Sequence, residues 1–214
     1  MNWKVCGMRD EQNIKEVLSL QPNWMGFIFY AKSPRYVLGK LSPEFLHNWP
    51  YTTKKVGVFV NPSLEWLLEQ AAAFQLDIVQ IHGDLLTESF YKALKKANLE
   101  VVQAVGVAEK IDFDALTKWE PLIDYFLFDT KSTNHGGTGQ SFDWNLLNAY
   151  SLSKPFLLAG GICLDNFQNL PNWQNLPFWG IDVNSRFEDF PAFKNKTALG
   201  VLSHKIDEYN KYKL

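Results

Sequence analysis

Eight short apolar runs, separated by stretches of helical periodicity, recur from one end of the chain to the other, and they constrain its fold more than any other feature. They fall at residues 4–6, 26–30, 55–60, 77–81, 100–105, 125–128, 155–159 and 178–183. Several are apolar at consecutive positions, as in Val56-Gly57-Val58-Phe59-Val60 and Tyr125-Phe126-Leu127-Phe128. Strands apolar on both faces are expected where both faces are covered, as in a parallel sheet beneath helices.

The intervening stretches repeat apolar residues at three- and four-residue spacing. Leu64, Leu67, Leu68, Ala71 and Ala72 share one helix face, with Asn61 suited to the N-cap and Pro62 to the first turn. Thr87 can cap a helix carrying Phe90, Ala93, Leu94 and Ala97, and a first helix follows Asp10 with Ile14, Val17 and Leu18. Leu199, Leu202, Ile206 and Tyr209 repeat the pattern near the end. Eight strand–helix units in 214 residues predict one α/β domain, a (β/α)8 TIM barrel over residues 1–214. An open doubly wound sheet usually has fewer strands and a glycine-rich turn after the first, and that turn is missing.

Charge and cysteine content narrow the function. The formal net charge is −2, so there is no basic excess to neutralise a nucleic-acid backbone. A small anionic ligand needs only local donors and stays open. Cys6 and Cys163, the 2 cysteines, make neither a disulfide framework nor a zinc cluster. Residues 1–5 lack the apolar centre of a signal peptide, and no run approaches the length of a membrane span. The expectation is a cytoplasmic protein with no membrane or nucleic-acid partner.

In such a barrel the activity sits at the C-terminal ends of the strands. Cys6-Gly7 ends the first run, Lys32-Ser33-Pro34-Arg35-Tyr36 follows the second, and His82-Gly83 ends the fourth. Asp129 ends the sixth, Gly160-Gly161 the seventh, and the eighth reaches Asp182 and then Asn184-Ser185. Each residue also has a bland reading. Cys6 is apolar filling by itself, and a functional thiol by its place at the mouth. Asp129 either caps a loop or pairs with Lys131, or its apolar neighbours raise its pKa and fit it as a general acid. Arg35 is a surface charge or a bidentate holder of a carboxylate. His82 lines the site at most. Gly160 and Gly161 form a turn or, with Asn184 and Ser185, a phosphate cradle.

Together these segments resemble the phosphoribosylanthranilate isomerase family. The resemblance is carried by Lys4-Val5-Cys6-Gly7, Gly26-Phe27-Ile28-Phe29-Tyr30 with Ser33-Pro34-Arg35-Tyr36, and Val56-Gly57-Val58-Phe59-Val60-Asn61. It continues in Val79-Gln80-Ile81-His82-Gly83, in Asp129-Thr130-Lys131 with Gly136-Gly137-Thr138-Gly139 and Phe142-Asp143-Trp144, and in Ala159-Gly160-Gly161. It runs in order from Lys4 to about Phe193. It implies an Amadori rearrangement of a small-molecule substrate, phosphoribosylanthranilate, in tryptophan biosynthesis, with no metal and no cofactor. By the same resemblance Asp129 is the general acid, Cys6 the thiolate base and Arg35 the holder of the anthranilate carboxylate. Gly160, Gly161, Asn184 and Ser185 then make the phosphate cradle, with Asp182 on the wall beside it. Two departures stand out: Arg186-Phe187 where a small residue is expected after Ser185, and Met8-Arg9-Asp10 in the first loop.

Two other readings are weighed. Another phosphate-binding barrel enzyme would show a Lys/Glu set at strand ends, or His and Asp metal ligands on several strands; His82 is the one histidine ending a run. A non-catalytic barrel that binds a phosphorylated metabolite would keep the glycines and lose the acid or base. The sequence leaves monomer and homodimer equally open.

Overall fold

The computed structural model describes residues 1–83, 87–131 and 141–211. The segment Gly136-Gly137-Thr138-Gly139, read above as part of the resemblance, lies outside the described residues, as does His135. The eight apolar runs become strands: β1 Asn2–Val5, β2 Trp24–Ile28, β3 Lys54–Val60, β4 Ile78–His82, β5 Glu100–Val107, β6 Tyr125–Thr130, β7 Phe156–Leu158 and β8 Phe178–Val183. All neighbours are parallel, and β1 closes on β8 to form a barrel in chain order. The expected (β/α)8 architecture is the one found.

Two apolar layers hold it. Inside, Cys6, Trp24, Val56, Val58, Ile78, Val102, Ala104, Leu127, Leu157 and Ala159 pack against one another. Trp24, at the start of β2, meets Trp179 at 4.0 Å and Tyr125 at 4.9 Å between ring centroids, filling the N-terminal end of the interior. Outside, alternate strand residues such as Phe27, Phe59, Val79, Phe126 and Phe128 are buried against the helices. This two-sided burial is why the strands read as continuous apolar runs.

The helices are α1 Glu11–Leu18, α2 Pro43–His47, α3 Leu64–Ala73, α4 Glu88–Lys96, α5 Phe113–Thr117 and α6 Lys196–Lys211. Asp10 and Thr87 cap α1 and α4 through their side chains, as expected. At α3 the expectation fails. Ser63, not Asn61, is the N-cap, accepting from the Trp66 amide, while Asn61 is held at φ 44°. Its amide lies so close to Gly83 that a Cβ there would meet Oδ1 at 2.0 Å. Asn61 therefore ends the strand-to-helix turn, and the helix starts after Pro62.

Two crossovers also depart from the expected strand–helix unit. Between β6 and β7 the described chain forms a 3₁₀ segment, Trp144–Ala149, and between β7 and β8 another, Phe167–Asn169. Asn145, Asn148, Asn166, Asn169, Asn172 and Asn175, with Pro171, crowd these stretches. Asparagine competes for backbone hydrogen bonds and proline donates none, so neither segment extends into an α-helix. After β8 the chain makes a small antiparallel hairpin, β9 Glu188–Phe190 and β10 Phe193–Lys194, before α6. The buried Asn13 of α1 anchors it, accepting from the Lys194 amide at 2.7 Å and donating to the Lys194 carbonyl at 2.9 Å.

Candidate active site

The seam that closes the barrel also builds the floor of the site. Register pairs Lys4 of β1 with Asp182 of β8, so both side chains fall on the same face of the sheet. Lys4 Nζ donates to Asp182 Oδ2 at 2.7 Å, and both residues are buried. Burial alone would strip the charge from Lys4, but Asp182, and to a lesser extent Cys6, hold its pKa above the ordinary value. Burial pushes Asp182 the other way, toward the neutral acid, and Lys4 opposes it. At 2.7 Å from an ammonium group we read the pair as ionised. Asp182 Oδ1 is buried and has no hydrogen-bond partner among the described residues. An acceptor without a donor at a strand C-terminus is a place for a ligand hydroxyl.

Cys6 follows β1 and is buried, its amide donating to the Val183 carbonyl at 2.9 Å. Burial raises its thiol above the ordinary 9.0, Lys4 pulls it down, and Asp182 pushes it up again. Asp129 stands at the end of β6, three strands away around the barrel. Its Oδ1 accepts from the Thr130 amide at 2.8 Å. Burial first, and then the charge of Asp182, raise its carboxyl to about 6. Thiol and carboxyl thus face a common neighbour, Asp182, and the carboxyl keeps its proton up to about pH 6.

The glycines are spacing devices. Gly160 (φ 86°) lies against the end of β6, where a Cβ would meet Thr130 Oγ1 at 2.3 Å and Asp129 Oδ1 at 3.0 Å. Gly7 (φ 77°) lets the Arg35 side chain cross directly above it, since a Cβ there would meet Arg35 Cδ at 2.6 Å and Asn184 Oδ1 at 2.7 Å. Loop residues from β2 and β8 therefore converge on the end of β1. Gly161 shares the positive-φ turn after β7, and its carbonyl accepts from Asn166 Nδ2 at 2.9 Å. His82 closes β4, its Nε2 2.7 Å from Gln80 Nε2.

Arg35 is not the solvated charge of its bland reading. It is buried, and its Nε and Nη2 contact Glu188 at 2.9 and 2.6 Å. The buried Lys194 reaches the same carboxylate and donates to Asn184 Oδ1 at 2.8 Å. Burial lowers the Lys194 pKa to about 8, with Glu188 resisting. Sequence reasoning missed Lys4, Glu188 and Lys194. Lys4 had a signal, because it alternates with Cys6 and lies between the apolar Trp3 and Val5 of β1. Glu188 and Lys194 had none, lying in the mixed stretch 187–194, which has neither helical nor strand periodicity. In the first of the two departures, Arg186-Phe187, Phe187 points into the outer core and Arg186 is exposed, so the added bulk is absorbed away from the mouth. Among the described residues, no group of three or more His, Cys, Asp or Glu side chains is placed to hold a metal ion.

A closed parallel barrel with a buried thiol, a carboxyl of raised pKa and an arginine at one mouth defines an α/β-barrel enzyme of acid–base chemistry. Comparison with known proteins narrows the class. Residues 3–198 match the family model for N-(5'-phosphoribosyl)anthranilate (PRA) isomerase. The N-(5'-phosphoribosyl)anthranilate isomerase of Parabacteroides distasonis is 42% identical over 193 residues, 90% of this chain and 87% of that one. A phosphoribosyl anthranilate isomerase solved in complex with reduced 1-(o-carboxyphenylamino)-1-deoxyribulose 5-phosphate superposes with a TM-score of 0.79 at 26% identity, over 97% of this chain and 99% of that one. Generated monomers of the dimeric isomerase from Thermotoga maritima give 0.77 at 27% identity, over 96% and 98%. The chain belongs to the phosphoribosylanthranilate isomerase family, and its fold is the one those isomerases share.

Proposed function

We propose that this isomerase converts N-(5-phosphoribosyl)anthranilate to 1-(2-carboxyphenylamino)-1-deoxyribulose 5-phosphate in tryptophan biosynthesis, with Asp129 as acid and Cys6 as base. The observation that carries the assignment of roles is the pairing of a carboxyl raised to about 6 with a buried thiol, both beside the Lys4–Asp182 pair. Asp129 gives its proton to the furanose ring oxygen as the C1′–O bond breaks, and the anilino nitrogen lone pair forms the C1′=N iminium. That cation acidifies C2′–H. Cys6 removes the proton, the C–H electrons form C1′=C2′, and the C=N electrons return to nitrogen. The resulting enolamine tautomerises to the ketone. Both proton transfers need one positioned group on each side of the sugar.

At rest the Cys6 thiol keeps its proton, because burial outweighs Lys4. The positive charge that develops on the substrate in ring opening adds to Lys4 in favouring the thiolate when it is needed. Arg35 holds the anthranilate carboxylate, and Asp182 Oδ1, buried and open, accepts from a sugar hydroxyl. The loops at Gly160-Gly161 and Asn184-Ser185 receive the phosphate, and His82 lines the wall. Because the Asn184 side-chain carbonyl is engaged by Lys194, this loop serves the phosphate through its backbone. The whole chain acts as one barrel domain in the cytoplasm, as monomer or homodimer; none of the described helices is long and apolar enough to cross a membrane.

Titration with the reduced product analogue tests the roles, with wild type compared against Cys6→Ser and Asp129→Asn. All three proteins bind it, while turnover in the two variants falls ~10²–10⁴-fold. Equal behaviour of all three, with binding but no turnover above background, would favour the non-catalytic metabolite-binding barrel.

A further inference from the structure

Arg35 meets Glu188 in a particular way. A guanidinium has a side edge, Nε with one Nη, and an end formed by its two Nη nitrogens. Glu188 takes the side edge: Nε lies 2.9 and 3.1 Å from the two carboxylate oxygens and Nη2 2.6 Å from Oε2. Nη1 has no partner among the described residues. The Arg35 stem is fixed separately, crossing Gly7 with no room for a Cβ beneath it. Both ends of the side chain are therefore set before any ligand arrives.

The third member of the cluster keeps this arrangement useful. A lone Glu188 would cancel the charge of Arg35 and leave nothing to attract an anion. Lys194, buried and in contact with Glu188, restores it. Glu188 is held below its ordinary pKa against the push of burial by its bonds to Arg35 and Lys194. One anion between two cations leaves the cluster at a formal +1, the charge one ligand carboxylate neutralises. The hairpin anchored by Asn13 carries both Glu188 and Lys194, 153 or more residues beyond Arg35 in the chain.

We propose that Glu188 is a positioning residue for substrate recognition. It clamps the side edge of Arg35 so that the Nη1 end is presented to the anthranilate carboxylate, and Lys194 supplies the charge that keeps the clamped arginine attractive. This rests on the reading of Arg35 given above.

The test measures binding of two ligands: the reduced product analogue, which carries the ring carboxylate, and its phenylamino counterpart, which lacks it. Arg35→Met loses the carboxylate-bearing ligand by about 10–100-fold, the range of a hydrogen-bonded charge, and the other ligand hardly at all. Glu188→Gln, which keeps size but not charge, loses carboxylate preference by about 5–30-fold, through misplacement of Arg35 rather than its absence. Because that variant leaves two buried cations uncompensated, Glu188→Gln/Lys194→Met is made beside it. The double variant keeps the cluster at +1 and still lacks the clamp, so it shows the same selective loss. Unchanged binding of the phenylamino ligand reports a folded site. Combining Glu188→Gln with Arg35→Met costs no more than Arg35→Met alone. Retained carboxylate preference in both Glu188 variants, equal loss of both ligands, or tighter carboxylate binding would overturn the clamp while leaving the role of Arg35 intact. Retained preference in Arg35→Met would overturn that role and the clamp with it.

Discussion

Replacing Asp129 with asparagine should make the protein more stable and nearly inactive, and the gain in stability should appear only above a defined pH. Burial and the charge of Asp182 raise the Asp129 carboxyl from 3.8 to about 6 in the folded chain. A folded pKa above the unfolded one means the native state binds the proton more tightly. This contribution is fully present below pH 4 and is lost as pH rises through about 6. At ~1.4 kcal/mol for each tenfold change in proton affinity, the difference amounts to ~3 kcal/mol of destabilisation in wild type at neutral pH. Asparagine carries no charge to bury, and its carbonyl can still accept the 2.8 Å hydrogen bond from Thr130. Urea unfolding of wild type and Asp129→Asn should therefore agree within about 0.5 kcal/mol at pH 4 and differ by ~1–3 kcal/mol in favour of the variant at pH 8. The lower part of that range allows for relaxation around the charge. An equal gain at both pH values, or a variant less stable at pH 8, would refute the claim that the site holds Asp129 at a cost to the fold.

Turnover should be level from about pH 6.5 to 8.5 and fall toward acid below about 6, because the acid–base pair shares one proton between a carboxyl at about 6 and a thiol raised above its ordinary 9.0. A kcat profile that instead declines steadily above pH 6 would mean the thiolate is already present at rest. Lys4→Met leaves Asp182 buried without its partner and should cost ~3–5 kcal/mol in urea unfolding at pH 7; a loss under 1 kcal/mol would show that the pair is not ionised. Gly160→Ala introduces a methyl 2.3 Å from Thr130 Oγ1 at a φ of 86°. It should lower stability by ~1–3 kcal/mol and displace Asp129, with turnover falling further than substrate affinity; wild-type kcat in this variant would contradict the packing argument.

The barrel was legible because its strands are buried on both faces, and a run such as Tyr125-Phe126-Leu127-Phe128 has few other places to go. Strand starts were less legible. β1 and β2 each begin two residues before the apolar run, at Asn2 and Trp24. There the backbone already pairs in register, and Trp3, Trp24 and Met25 are buried. The cap at Ser63 was hidden behind Asn61, whose type suits a cap but whose left-handed backbone serves the turn. That the described residues after β6 and β7 form 3₁₀ segments and not α-helices follows from asparagine and proline content that periodicity does not weigh. Cys6, Asp129 and Arg35 were legible because strand C-termini share one mouth, and the structure brings all three there. The partners of Arg35 were not. Glu188 and Lys194 are enclosed only when the hairpin packs against α1 through Asn13, a contact that no local pattern encodes.

The central claim, that this chain isomerises phosphoribosylanthranilate with Cys6 as base, is tested most directly by fluorescence. Freshly generated phosphoribosylanthranilate is mixed with wild type and with Cys6→Ala in parallel, EDTA present. The account predicts rapid loss of the anthranilate-type fluorescence with wild type and decay at the uncatalysed rate with the variant. Decay no faster than background from folded wild-type protein would contradict the assigned reaction, and equal decay from both proteins would contradict the assigned base.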